Sequence, residues 1–171
     1  MYNKRDYLNE EKELQFDFGS DIPEQTDISE LFFELTRRLR GNFDIDKGVL
    51  LIRNFEDDSF SAVSTWQEDK VRYGLKIKLP TEPSLFQKIA DNGRVYSEIF
   101  SGSFSGNFFE EKLLINDDSQ SFVVQPLKSD GQIVGMIGYS STEPTAFSMI
   151  EEGCLNEISQ KLGRIIFRQL S

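Results

Sequence analysis

The chain has no histidine and a single cysteine among its 171 residues. Without histidine there is no Ser-His-Asp or Cys-His arrangement, and the commonest general base is missing. Histidine ligation of zinc or haem is excluded as well. One cysteine allows neither an internal disulfide nor a multi-thiolate metal site, and it points to a reducing compartment. No apolar run approaches the roughly 20 residues of a membrane span. Met1 to Glu13 is highly charged and does not read as a signal peptide. Basic residues are scarce too: 19 Lys and Arg stand against 29 Asp and Glu, a net charge of −10. That balance disfavours nucleic acid, whose phosphates need clustered cations. The expectation is a cytoplasmic chain with neither nucleic acid nor membrane as partner.

Other chemistry is missing by motif. No EF-hand spacing and no Gly-rich phosphate loop ending in Lys-Ser/Thr occurs. The acid pairs Asp57-Asp58 and Asp117-Asp118 adjoin predicted turns and read as solvated turn residues. Arg37-Arg38-Leu39-Arg40 is the one basic cluster in the sequence, and it ends a predicted helix, where cations complement the dipole. No catalytic residue, metal or cofactor is expected, and the chain reads as a non-enzyme. At this length a single domain buries about 70% of its extended surface and needs no cross-link.

What is present is a succession of short elements. Residues 1–25 form a polar, acidic arm or helix, closed by Asp21-Ile-Pro23. Thr26 or Asp27 caps a helix through Arg40 with Ile28, Leu31, Phe32, Leu35 and Leu39 as its buried stripe, and Gly41 stops it. Gly48–Phe55 and Ser59–Trp66 are strands joined at Glu56–Asp58. Tyr73–Leu79 reads as a less regular strand. A short helix over 83–91 carries Pro83 in its first turn and ends at Asn92-Gly93. Arg94–Phe100 reads as a short strand, and 101–120 as the least regular segment. Ser121 to Tyr139 is a hairpin whose Asp130-Gly131 turn suits positive φ. Strict alternation places Ile133, Gly135, Ile137 and Tyr139 on one face of its second strand, and Val134, Met136 and Gly138 on the other. Ser148 and Glu151 form a capping box for a final helix. Its stripe, Leu155, Ile158, Leu162 and Ile165, has heptad spacing.

The hairpin and final helix resemble the C-terminal half of a GAF domain. Val124-Gln125-Pro126-Leu127 is similar to that family's Val-x-Pro-Leu stretch. Ile133-Val134-Gly135-Met136-Ile137 is similar to its glycine-bearing strand, and Phe147-Ser148 to the pair that opens its last helix. The resemblance spans residues 26–170. It implies an α+β, GAF-like (profilin-like) domain over 26–171, with a central antiparallel sheet of about five or six strands and helices on both faces. The helices at 27–40 and 149–170 are expected on one face. The other face lies under 83–91 and 101–120, and there the resemblance implies a ligand cavity.

The resemblance also implies a sensory or regulatory domain in signal transduction, binding an unidentified small molecule and signalling through its terminal helices to an output domain or protein. Trp66, Tyr73, Tyr96, Phe104, Phe108 and Phe109 are expected around the ligand, with Gln125 and Arg53 as its polar groups. The competing reading is that fifteen phenylalanines simply fill the core. Leu155, Ile158, Leu162 and Ile165 are expected at a homodimer interface, or else on the domain's own sheet. A dimerisation or interaction module without ligand is the alternative function. Bilin attachment is not expected, because Cys154 falls in the final helix beside the apolar stripe. Family members that reduce methionine sulfoxide use several cysteines, so that activity is not expected either. The Asn-Lys…Phe…Asp-Glu signature of cyclic-nucleotide binders is not found in order.

Overall fold

The computed structural model describes residues 27–67, 70–100, 103–148 and 152–170, leaving aside the side chains of 152–158 and 170. The arm read over 1–25, Thr26, Glu151 of the capping box, and the side chains of Cys154, Leu155 and Ile158 lie outside the described residues.

Asp27 is the cap of the first helix, α1 (Ile28–Arg40), and its carboxylate accepts from Ser29 N at 2.7 Å. The stripe read from the sequence is buried along its length. Arg37 and Arg38 both bind Glu34, at 2.9 and 3.0 Å, within the last turns. Gly41 ends the helix in a right-handed conformation, so no left-handed glycine is used there.

A hairpin follows, β1 (Lys47–Asn54) and β2 (Ser59–Gln67). The strand read over Tyr73–Leu79 is absent as such. Beyond β2 lie two short pieces, β3 (Lys70–Arg72) and β4 (Ile77–Lys78), which pair with successive parts of β2. Gly74, at φ 70°, turns the chain between them. Next comes α2 (Leu85–Asn92), capped by Ser84 rather than entered through Pro83, with Gly93 left-handed at its end. Then come β5 (Tyr96–Ile99), α3 (Phe108–Leu114), the hairpin β6 (Ser121–Ser129) and β7 (Gln132–Ser141), and α4 (Glu152–Leu170). Asp130 and Gly131 take φ 51° and 81°, the pair of positive angles a two-residue hairpin turn requires.

Among the described residues the sheet has seven strands, all paired antiparallel, in the order β3-β2-β1-β7-β6-β5 with β4 also on β2. One face carries α1 and α4 over a core that includes Leu35, Leu50, Trp66, Tyr139, Leu162 and Ile166. The other carries α2 and α3 over Val49, Phe60, Phe86, Leu114, Phe122 and Met136. A strand apolar on both sides, as β7 is, belongs in the middle of such a stack.

Strict alternation along β7 fails at one point. Leu127 pairs with Gly135 but Lys128 with Ile133, so Val134 is an extra residue. The bulge turns Ile133 toward α2 and α3 while Val134 packs with α1 and α4, which corrects the sequence assignment of those two side chains.

Two side chains anchor α1 and α4. Tyr139 Oη hydrogen-bonds Thr36 Oγ1 at 2.8 Å beneath α1, and complete burial pushes its phenol pKa upward. On α4, Ser159 Oγ donates to the Pro126 carbonyl. Pro126 lies past the end of β5, which pairs only Ser121–Val124, so no strand there asks for its missing N–H. Gly163 lies directly against Lys128, where a Cβ would overlap the Lys128 carbonyl.

Gly163→Ala raises helix propensity by about 1 kcal/mol, yet it is expected to lower the unfolding midpoint because α4 must lift from β6. An equal or higher midpoint in a denaturant titration contradicts this docking. In the β1–β2 turn, Asp57 accepts from the Lys78 ammonium and from Ser59, and Lys78 foremost holds its carboxyl down at about 2. A lowered folded pKa contributes stability above the ordinary value of 3.8, and that stability is lost as pH falls through about 2. NMR titration of the Asp57 carboxyl is expected to show this low midpoint, and Lys78→Met to raise it.

Candidate functional site

The segment 107–114, read as irregular, is an ordered helix because of a reciprocal cap. Asn107 Oδ1 accepts from Glu110 N, and Glu110 Oε1 accepts from Asn107 N, each at 2.9 Å. The Glu110 carboxylate is fully buried and goes further. It accepts from Ser84 Oγ at 2.6 Å, Leu85 N at 2.9 Å and Phe86 N at 2.8 Å, the opening of α2. One anion thus meets the unpaired N–H groups of two helix starts, where negative charge is favoured. This fixes α3 over the end of β1.

Between α3 and the β2–β4 edge lies a cleft of about 280 Å³. Its basic wall follows from strand register. Lys47 faces Gln67 across β1–β2, and Gln67 faces Lys70 across β2–β3. One step along, Thr65 faces Arg72. Directly opposed residues share a face, so Lys47, Lys70 and Arg72 stand on one side of the sheet with Thr65 and Gln67. Lys112 adds a fourth cation from α3, Leu75, Ile77 and Leu113 supply apolar surface, and Trp66 borders the cleft from β2. Among the described residues no carboxylate pairs with any of the four cations.

Lys47 is half-buried, and its Nζ donates to Lys112 O at 2.7 Å in the last turn of α3. Ile115 O and Asn116 Oδ1 stand at 3.4 Å. Desolvation first, and then the neighbouring Lys112 charge, lower its pKa. Glu68 and Asp69, which join β2 to β3, lie outside the described residues.

A second cleft of about 350 Å³ opens on the far side of α3, with Phe104, Glu111 and Asp117 in its walls. A void of only about 20 Å³ lies on the opposite face, under α1. Gln125 lines it, with Oε1 buried and unpartnered while Nε2 donates to Pro126 O. That volume is about the size of one water.

The residues expected around a ligand do not gather in one place. Trp66 lines the basic cleft and packs beneath α1, with the Arg40 guanidinium 4.7 Å from its ring centre. Tyr73 is exposed against Phe33. Tyr96 and Phe104 meet at Phe122, on the α2/α3 face. Phe108 and Phe109 are largely exposed at the start of α3. Arg53 binds Ile133 O and Asp58, far along β1 from Lys47. Gln125 faces the α1 side.

Of the expected dimer seam, Leu162 and Ile165 are buried in the chain's own core. Lys47, Lys70, Arg72 and Lys112 were not read from the sequence, where they are dispersed. Alternation in Lys70-Val71-Arg72 is the nearest signal. The capping box Asn107-x-x-Glu110 was legible, and would have placed α3.

No family model matches the chain, and no curated protein does. Solved structures do. The GAF domain of a phosphoenolpyruvate-protein phosphotransferase from Coxiella burnetii superposes with TM-score 0.73 at 15% identity, over 99% of this chain and 97% of that one. The GAF domain of a two-component sensor histidine kinase from Bacillus halodurans gives 0.63 at 15%, over 84% and 96%. This chain has the GAF fold.

The same GAF fold appears in free methionine-R-sulfoxide reductase from Neisseria meningitidis, at TM-score 0.71 and 14% identity over 100% and 96% of the two chains. The expectation of a non-enzyme is therefore corrected: this fold also carries an enzyme, and enzymatic activity is compatible with it. Among the described residues, no helix is long and apolar enough to cross a membrane, and no cluster of three His, Cys, Asp or Glu is placed to hold a metal.

Glu110→Ala strips the acceptor from Ser84, Leu85, Phe86 and Asn107 and is expected to cost at least about 3 kcal/mol in denaturant unfolding. A loss below about 1 kcal/mol would contradict the clamp.

Proposed function

We propose that the chain is a sensory or regulatory module that binds a small molecule in the basic cleft and reports it through α1. The observation that carries this reading is the position of Trp66. Its neighbours Thr65 and Gln67 face the cleft, while its own ring packs on the other side of β2, in the core beneath α1 and under Arg40. A ligand that shifts β2 at Thr65 and Gln67 moves the strand that carries this ring, and with it the seat of α1. Such a ligand shifts the helix only by as much as it prefers one arrangement over the other.

Support also comes from the neighbours: GAF domains of a sensor kinase and a phosphotransferase share this fold at low identity.

The chain contains a single tryptophan, which makes the test direct. A small-molecule library is screened by thermal unfolding, and hits are followed by Trp66 emission and hydrogen exchange. The expected result is a saturable emission change accompanied by altered protection of α1 amides. Cleft ligands that leave both unchanged would overturn the coupling.

A further inference from the structure

We infer that the ligand of the cleft is a small anion carried on an apolar body, an inference that rests on the reading of the cleft as the ligand site. The chain as a whole carries charge −10, yet four of its cations line one concavity with no carboxylate partner among the described residues. Like charges held together on low-dielectric walls raise a local positive potential, and an incoming anion relieves their repulsion.

The four are not equivalent. Lys47 spends its ammonium on the carbonyls that end α3, so it supplies field and positions the helix. Lys70 and Arg72 are exposed on β3 and have their donors available to a ligand. Arg72 offers the planar fork that grips a carboxylate or phosphate through two parallel bonds. Thr65 and Gln67 stand in the same rows as Arg72 and Lys70, and can hydrogen-bond the same head group. Lys112 closes the far side from α3, its Nζ 5.3 Å from the Phe108 ring centre.

The remaining lining is apolar. Leu75, Ile77 and Leu113 leave surface that a bare inorganic anion does not cover. A volume of about 280 Å³ holds one ring or short chain with a single head group. A polyanion is disfavoured by the acidity of the rest of the chain.

The test uses the whole chain at constant ionic strength, with phenyl phosphate, benzoate and benzyl alcohol as probes. Calorimetry, thermal unfolding and Trp66 emission are read together. The expected result is saturable binding of phenyl phosphate or benzoate, with a raised unfolding temperature and no matching response to benzyl alcohol. Comparing the two anions separates a phosphate from a carboxylate preference.

The double variant Lys70→Gln, Arg72→Gln alters only exposed side chains and is expected to weaken the preferred anion at least tenfold. Lys88→Gln, on the exposed side of α2, is expected to leave it unchanged. Equal binding of benzyl alcohol and the anions, with Trp66 responding, would overturn the anion inference and leave the cleft as the ligand site. Anion binding that survives the double variant overturns it as well. Silence from all three probes counts against both.

Discussion

The buried carboxylate of Glu110 holds the cover of one sheet face in place. Helices α2 and α3 are short, 8 and 7 residues, too short to be stable by propensity. Each leaves N–H groups unpaired at its start. Glu110 accepts from the first residues of α2, from Ser84 before it, and from the cap of its own helix. A buried anion is costly unless its oxygens are satisfied, and here both are. Two weak helices become one unit, pinned over Phe122 and Val49, and the far end of α3 is thereby brought to the β2–β4 edge.

That placement creates the cleft. Lys47 reaches the last-turn carbonyls of α3 at one end, as Glu110 meets its N-terminus at the other. The helix is held at both poles by charges of the sign its dipole favours. The basic wall is then a consequence of register in β1, β2 and β3, and β2 carries Thr65 and Gln67 into that wall while its Trp66 ring packs beneath α1 on the far side of the sheet. The cleft and the seat of α1 are opposite faces of one strand.

The terminal helix α4 belongs to the same body. Leu162, Ile165 and Ile166 fill the core, Ser159 bonds the carbonyl of Pro126, and Gly163 removes the side chain that would otherwise hold the helix off β6. A stripe with heptad spacing fits a sheet as well as it fits a partner helix, since both demand one apolar face. The described part of this stripe is satisfied within the chain.

Local physics made much of the fold legible in advance. The Asp27 cap, the α1 stripe, the Asp130-Gly131 turn and the two-sided apolar strand β7 each follow from neighbours within a few residues, and the order of these elements already resembled a GAF domain. Charge and composition alone showed an acidic chain without histidine chemistry, but they could not decide whether the fold hosts an enzyme. The tertiary structure decided the rest. The Val134 bulge depends on which residues β6 presents across the ladder, and so do the faces of Ile133 and Val134. The four cations lie up to 65 residues apart in the chain for the Lys47–Lys112 contact, and only strand pairing and the seating of α3 bring them together. A sequence pattern records the face each residue takes within its own element. Which elements face one another is set by long-range packing, and the cleft exists only at that level.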